Sequence, residues 1–168
     1  MATPLPVAWS LYLHEGCNGD RYKQSYTHVM DVRSCEEWAE MTRYVPSPYH
    51  MVMPGCTVVC RSKVIVSYSF FRHDILPEWE DPKNVAGHTL TARLRGGKNE
   101  LQRVWETVTC DCARGYLAEH VNGVQFSKRY DHKQPLMKID LWLPSTSDVS
   151  FVTSAFPAVH FVRTKRKI

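Results

Sequence analysis

The sequence predicts an α+β domain, an antiparallel sheet with helices on one face. Two patterns carry this prediction. Runs of alternating or β-branched residues recur at Trp9 to His14, Tyr26 to Val32, Val58 to Phe71, Thr89 to Leu94, Val121 to Lys128, Leu136 to Leu143 and Val159 to Val162. Between them lie two or three helical stretches at irregular intervals, without the steady βαβα rhythm of a parallel sheet. The 168 residues fit a single domain over 1–168, with a short N-terminal arm at 1–8 and a basic tail at 163–168. Hydrophobic residues at 43% suffice for a core, and charged residues at 23% argue against wholesale disorder.

The elements follow from local chemistry. Trp9, Leu11 and Leu13 alternate with Ser10, Tyr12 and His14, so each set lies on one face of a strand. Glu15 to Arg21 carries two glycines, an asparagine and an aspartate and reads as a loop. Ser34, with Glu36 and Glu37 behind it, forms a helix start, its acids lying near the positive end of the dipole. Pro46 and Pro48 stop that helix near Tyr44. Gly96 and Gly97 close the strand before a second helix from Asn99 to about Cys112, which puts Leu101, Trp105, Val108 and Cys112 on one face. A polar loop around Asp131 to Gln134 separates two strands, and Asp148 to Phe156 is a short helix.

Composition narrows the function classes. No apolar run approaches the roughly 20 residues of a spanning helix. The N-terminus shows no signal-peptide pattern, so a cytoplasmic setting with reduced thiols is expected. A net charge of +4 does not by itself define a nucleic-acid binder. Among the six cysteines, Cys56 with Cys60 and Cys110 with Cys112 do not keep the usual zinc rhythm, so no metal or other cofactor is expected. The eight histidines follow no H-x₃-H spacing, and no nucleophile-elbow motif is present, so a binding protein is expected rather than an enzyme.

The most informative stretch runs from Asp74 to Asn84. It places Trp79 directly before Glu80 among turn-forming residues. A loop tryptophan beside a carboxylate suits a flat, cationic, hydrogen-bonding ligand, the ring supplying a π face and the acid accepting from the ligand edge. The competing reading is a core tryptophan with a solvated glutamate beside it.

The run I-x-P-x-W-E-D-x-K-N, present as Ile75, Pro77, Trp79, Glu80, Asp81, Lys83 and Asn84, resembles the signature of the translation initiation factor 4E family. Pro4-Leu5 before Trp9, Met53-Pro54-Gly55, Leu101-x-Arg103-x-Trp105, Gly123 six residues before Arg129, and Lys138-Ile139-x-Leu141-Trp142 fall in the family's order. The resemblance covers roughly residues 4 to 143. It implies a curved antiparallel sheet backed by about three helices on its convex face. The implied ligand is the 7-methylguanosine cap of mRNA, and the implied process is translation initiation. A cap-sequestering repressor and a general single-strand RNA-binding module are the alternatives.

Residue by residue, the resemblance implies that Trp79 stacks on the methylated base and Glu80 accepts from the guanine N1 and N2 groups. Trp142 takes the place that contacts the N7-methyl group. Arg129 and Lys138 match the triphosphate-binding positions. Tyr22 stands where most members carry the first stacking tryptophan, and the competing reading is an ordinary loop tyrosine. Thr89 replaces a frequent arginine near the phosphates. Segments 130–137 and 56–65 look longer than the family pattern.

The resemblance also implies a 4G-like scaffold or 4E-binding protein on the convex face, touched by Pro4, Leu5 and Trp38. The competing reading makes Trp38 a core residue. Glu106 and Cys110 replace apolar groups beside it. Trp9 and Trp105 read as core residues, and the basic tail as a solvated end.

Overall fold

The computed structural model describes residues 1–16 and 25–164. Tyr22 and the tail residues Lys165, Arg166 and Lys167 lie outside the described residues. The strands are β1 (Pro4–Glu15), β2 (Tyr26–Ser34), β3 (Val59–Cys60), β4 (Lys63–Arg72), β5 (His88–Leu94), β6 (Gly123–Asp131), β7 (Gln134–Leu143) and β8 (Val162–Thr164). They pair antiparallel in the order β2-β1-β4-β6-β7-β5-β8, with β3 on β4, as a curved sheet. The helices are α1 (Cys35–Tyr44), α2 (Tyr49–Val52), α3 (Pro82–Val85), α4 (Lys98–Ala113) and α5 (Val149–Ser154).

The two-residue period of β1 sorts its side chains between two environments. Trp9, Leu11 and Leu13 join Tyr68, Phe70, Phe126 and Ile139 in the main core, where Met41 of α1, Trp105 and Val108 of α4 and Val152 of α5 also pack. Trp9 stacks on Phe70 with ring centroids 5.2 Å apart, and Trp105 meets Tyr68 edge-on at 5.9 Å. The helices therefore cover one face. The opposite, open face has its own small cluster of Tyr12, Phe71, Ile75 and Trp142.

Local signals hold where side chains cap the backbone. Ser34 accepts from the Glu37 amide and starts α1, and Asp148 accepts from the Phe151 amide and starts α5. Four expectations change. The expected arm at 1–8 is already strand from Pro4, because Pro4 pairs with Ser34 across β2. The expected loop around 131–134 is a hairpin turn, with Asp131 facing Gln134 and only His132 and Lys133 at positive φ, 46° and 70°. Segment 56–65 builds a second tight hairpin, turning at Arg61 and Ser62 with φ of 48° and 66°. The last strand begins at Val162 rather than Val159, since only Val162 to Thr164 reach the β5 edge.

Candidate functional site

The loop after β4 holds the candidate site, and most of its motif residues are scaffolding. Ile75 is buried beside Phe71 and Trp142, and Pro77 is buried as well. The Asp81 carboxylate accepts from the amides of Leu76 and Lys83, both at 2.9 Å, and so caps α3. The buried Asn84 amide donates back to the carbonyls of Leu76 at 3.0 Å and Glu78 at 2.8 Å. Asn122 donates in turn to the carbonyl of Lys83 and to Asn84 Oδ1, while its own amide donates to the Trp142 carbonyl at 2.8 Å. Lys83 pairs with Asp74, and the Tyr26 hydroxyl donates to Glu78. The loop is thereby fastened to Tyr26 of β2, to Asn122 just ahead of β6 and, through Asn122, to Trp142 of β7.

That scaffold carries Trp79 and Glu80. Trp79 is half-buried, with its indole stacked on that of Trp142 at a centroid distance of 3.8 Å and an interplanar angle of 17°. Trp142 is 3% exposed and receives the edge of Phe71 at 5.2 Å. Phe71 fits there because its neighbour across the strands is Gly123, where a Cβ would stand 2.3 Å from the Phe71 ring. Glu80 is exposed at the loop surface. The structure thus brings Trp79, Glu80 and Trp142 together, with Trp142 behind Trp79.

The open face continues from Trp142 in ordered rows. Trp142 faces Gly123 and Thr89, Asp140 faces Gln125 and Thr91, and Lys138 faces Ser127 and Arg93. Lys138 is four residues from Trp142 along β7, about 13 Å in an extended strand. Its ammonium pairs at 2.7 Å with the buried Asp140 carboxylate, which also accepts from Thr91 Oγ1 at 2.6 Å. Arg129 lies exposed two residues further along β6. Among the described residues neither Arg129 nor Arg93 makes an ion pair. Arg93 was missed by sequence reasoning, because only the β5–β7 register puts it opposite Lys138. His14 on the same face is held down to about 4 by burial, and its Nε2 lies 2.7 Å from Ser69 Oγ.

The helix-covered side carries the expected partner residues. Pro4 is exposed and Leu5 half-buried against the main core. Trp38 is also half-buried, and its indole N–H donates to Thr109 Oγ1 at 3.2 Å, which joins α1 to α4. Glu106 on α4 accepts from Gln102 at 2.5 Å. Burial pushes the thiol of Cys110 up, with the Asp111 charge adding to it. Among the described residues no group of three or more His, Cys, Asp and Glu is arranged to hold a metal ion. No helix among them is long and apolar enough to cross a membrane.

A curved antiparallel sheet, helices on one side and a tryptophan–glutamate loop at the open face define the initiation factor 4E type of fold. The profile of the eukaryotic initiation factor 4E family matches residues 4–155, and the chain belongs to that family. It is 23% identical over 158 residues to the translation initiation factor 4E of Saccharomyces cerevisiae, an alignment spanning 81% of this chain and 66% of the relative. It is 25% identical over 104 residues to that of Candida glabrata, spanning 61% and 44%. The chain thus spans less than two thirds of the length of these curated relatives. Among solved structures, a schistosome factor 4E complexed with m7GpppG and 4E-BP superposes with a TM-score of 0.74 at 17% identity, covering 97% of this chain and 89% of the other. The Ascaris suum factor 4E-3 with an m2,2,7G cap gives 0.69 at 18%, covering 94% and 82%.

Proposed function

We propose that this chain binds the 7-methylguanosine cap of mRNA and hands capped mRNA to a 4G-like scaffold in translation initiation. The carrying observation is Trp79-Glu80, presented by a hydrogen-bonded loop against Trp142 on the face that also bears Lys138, Arg93 and Arg129. A methylated guanine is cationic and flat, so it favours an electron-rich indole face. Glu80 accepts from the N1 and N2 groups, a pair that adenine lacks. Trp142, stacked flat behind Trp79 and almost fully buried, backs the stacking ring in this arrangement, and the resemblance assigns the opposite ring to Tyr22.

Past the base, the triphosphate runs toward Lys138 and Arg129. Arg93 joins them, taking over the charge that Thr89 does not provide. Lys138 is shared with Asp140, so the two arginines carry more of the phosphate contact. Pro4, Leu5 and Trp38 meet the scaffold, or a 4E-binding protein, as an amphipathic helix laid on the α1–α4 side. The work is binding rather than catalysis, and the setting is the cytoplasm. Family membership supports this reading, as do m7GpppG and 4E-BP on the schistosome protein and the m2,2,7G cap on the Ascaris protein.

The test is a titration of 7-methyl-GTP against tryptophan fluorescence, with GTP as control. Strong quenching by 7-methyl-GTP and weak quenching by GTP is expected. Equal affinity for the two overturns the reading. Recovery of a 4G-like protein on capped RNA separates recruitment from sequestration.

A further inference from the structure

The seam between α1 and α4 brings two free thiols together on the helix-covered side. We propose that Cys35 and Cys110 are an oxidation site, joined by peroxide into a disulfide that closes the partner surface around Trp38. The inference rests on the reading of this side as the partner surface. Cys35 is the first residue of α1 and is exposed. Its amide donates to the Thr3 carbonyl at 2.9 Å, and the preceding Ser34 pairs with Pro4. Trp38 follows one helical turn later on the same face. Cys35 therefore stands between the two parts of the expected partner surface, Pro4–Leu5 and Trp38. Cys110 enters from α4, next to Thr109, whose hydroxyl accepts from the Trp38 indole at 3.2 Å. The Cys35 sulfur is near enough for its charge to act on that of Cys110. The α-carbons of the two helices approach within 8 Å. A disulfide spans roughly 4.4–6.8 Å between α-carbons, so a small closure of the seam joins the pair.

The two thiols differ as an attacking and a resolving cysteine do. Exposed Cys35 meets the oxidant first. Burial and the Asp111 charge push Cys110 up, while Arg114 hydrogen-bonds to its side chain and opposes them. Cys110 thus stays a thiol until an oxidised sulfur lies beside it. In the first step the Cys35 sulfur attacks peroxide. The O–O bond breaks, a sulfenic acid forms and one water leaves. In the second step the Cys110 sulfur attacks the Cys35 sulfur. The S–S bond forms, the S–O bond breaks, and the departing hydroxide takes the Cys110 proton as a second water. Both sulfurs are oxidised and the peroxide oxygens are reduced, so two thiols and one peroxide give one disulfide and two waters. In a reducing compartment such a bond is transient and redox-sensing. Cys112, two residues further along α4, is fully buried in the core and takes no part. The thiol that replaces an apolar group at Cys110, which cap binding does not explain, thus acquires a role.

The experiment treats the full chain with hydrogen peroxide, followed or not by dithiothreitol. Peptide mass spectrometry without reduction is expected to find Cys35 linked to Cys110, the pair lighter by two hydrogens. Affinity for a 4E-BP fragment is expected to fall by about tenfold or more on oxidation, as when contacts at an interface anchor are lost, and to return with dithiothreitol. Binding of 7-methyl-GTP, on the opposite face, is expected to stay as it was. The double variant Cys35→Ser/Cys110→Ser, whatever its starting affinity for the fragment, is expected to lose the response to peroxide. Absence of the linked peptide, a linked protein that binds the fragment as before, or a response that survives in the double variant overturns the proposal. A reduced chain that does not bind the fragment overturns the partner reading, and the closure with it, while the linked peptide still decides whether the disulfide forms.

Discussion

Trp79 lies against Trp142 at van der Waals distance, so the two indoles act as one wall. Replacing Trp79 with Ala removes an aromatic face, and selective 7-methyl-GTP binding should disappear in the fluorescence titration. Glu80→Gln keeps the size but loses the charge. It should weaken 7-methyl-GTP binding by roughly tenfold or more and bring GTP close to it, since charge-assisted bonds are about twice as strong as neutral ones. His14 makes a separate prediction about pH. Burial lowers its folded value to about 4 from 6.5, so the native imidazole stays neutral while the unfolded one gains a proton. Stability is therefore fully present above about pH 6.5 and is lost as pH falls toward 4, by up to about 3 kcal/mol. Urea unfolding at several pH values should show this slope, and His14→Gln should flatten it. At this scale Trp79 and Glu80 were legible as adjacent residues in a turn-rich run. The stacking of Trp142 behind Trp79 was not, because it joins positions 63 residues apart in a chain whose numbering carries no register.

Among the elements, the 74–84 loop shows the strongest division of labour. Asp81, Asn84 and Asn122 hold backbone groups, which leaves the Trp79 ring to stack on Trp142 of β7 and Glu80 at the surface. Asn84→Ala removes the side-chain donors to the carbonyls of Leu76 and Glu78, which keep the amides of Glu78 and Asp81, and takes away the Oδ1 that accepts from Asn122. A loss of about 2 kcal/mol in urea unfolding is expected, together with weaker 7-methyl-GTP binding, because each lost hydrogen bond contributes roughly 1 kcal/mol. The start of α1 was legible from Ser34 and the acids behind it, since capping is local chemistry. The turn at His132 and Lys133 was not, because it takes positive φ without the glycine or asparagine that normally announces it. Trp38 lies between its two sequence readings: part of its ring packs on the core and its N–H is spent on Thr109.

For the whole molecule, the decisive feature is the alignment of rows across the open face. Trp142, Lys138 and Arg129 become successive points on one path because β6 and β7 run antiparallel in fixed register. Arg93→Ala and Arg129→Ala should each lower 7-methyl-GTP affinity severalfold at low salt and less at high salt, as expected for screened surface charges. Lys138→Ala should do more than weaken binding. It leaves the buried Asp140 carboxylate without its cation, so the melting temperature should fall as well. Unchanged melting of Lys138→Ala would show that the pair contributes nothing to stability.

The sequence by itself determined most of the strands, the two main helices, the Ser34 start of α1 and the residues of the tryptophan–glutamate loop. These follow from alternation, helical spacing, turn chemistry and motif order, all of which act over a few neighbouring residues. Only the tertiary structure decided that Arg93 faces Lys138, that Asp140 neutralises that lysine and that Gly123 makes room for Phe71 behind Trp142. Each of these depends on strand register, which is fixed when the alternating faces of distant strands are buried together, and no single stretch of chain encodes it.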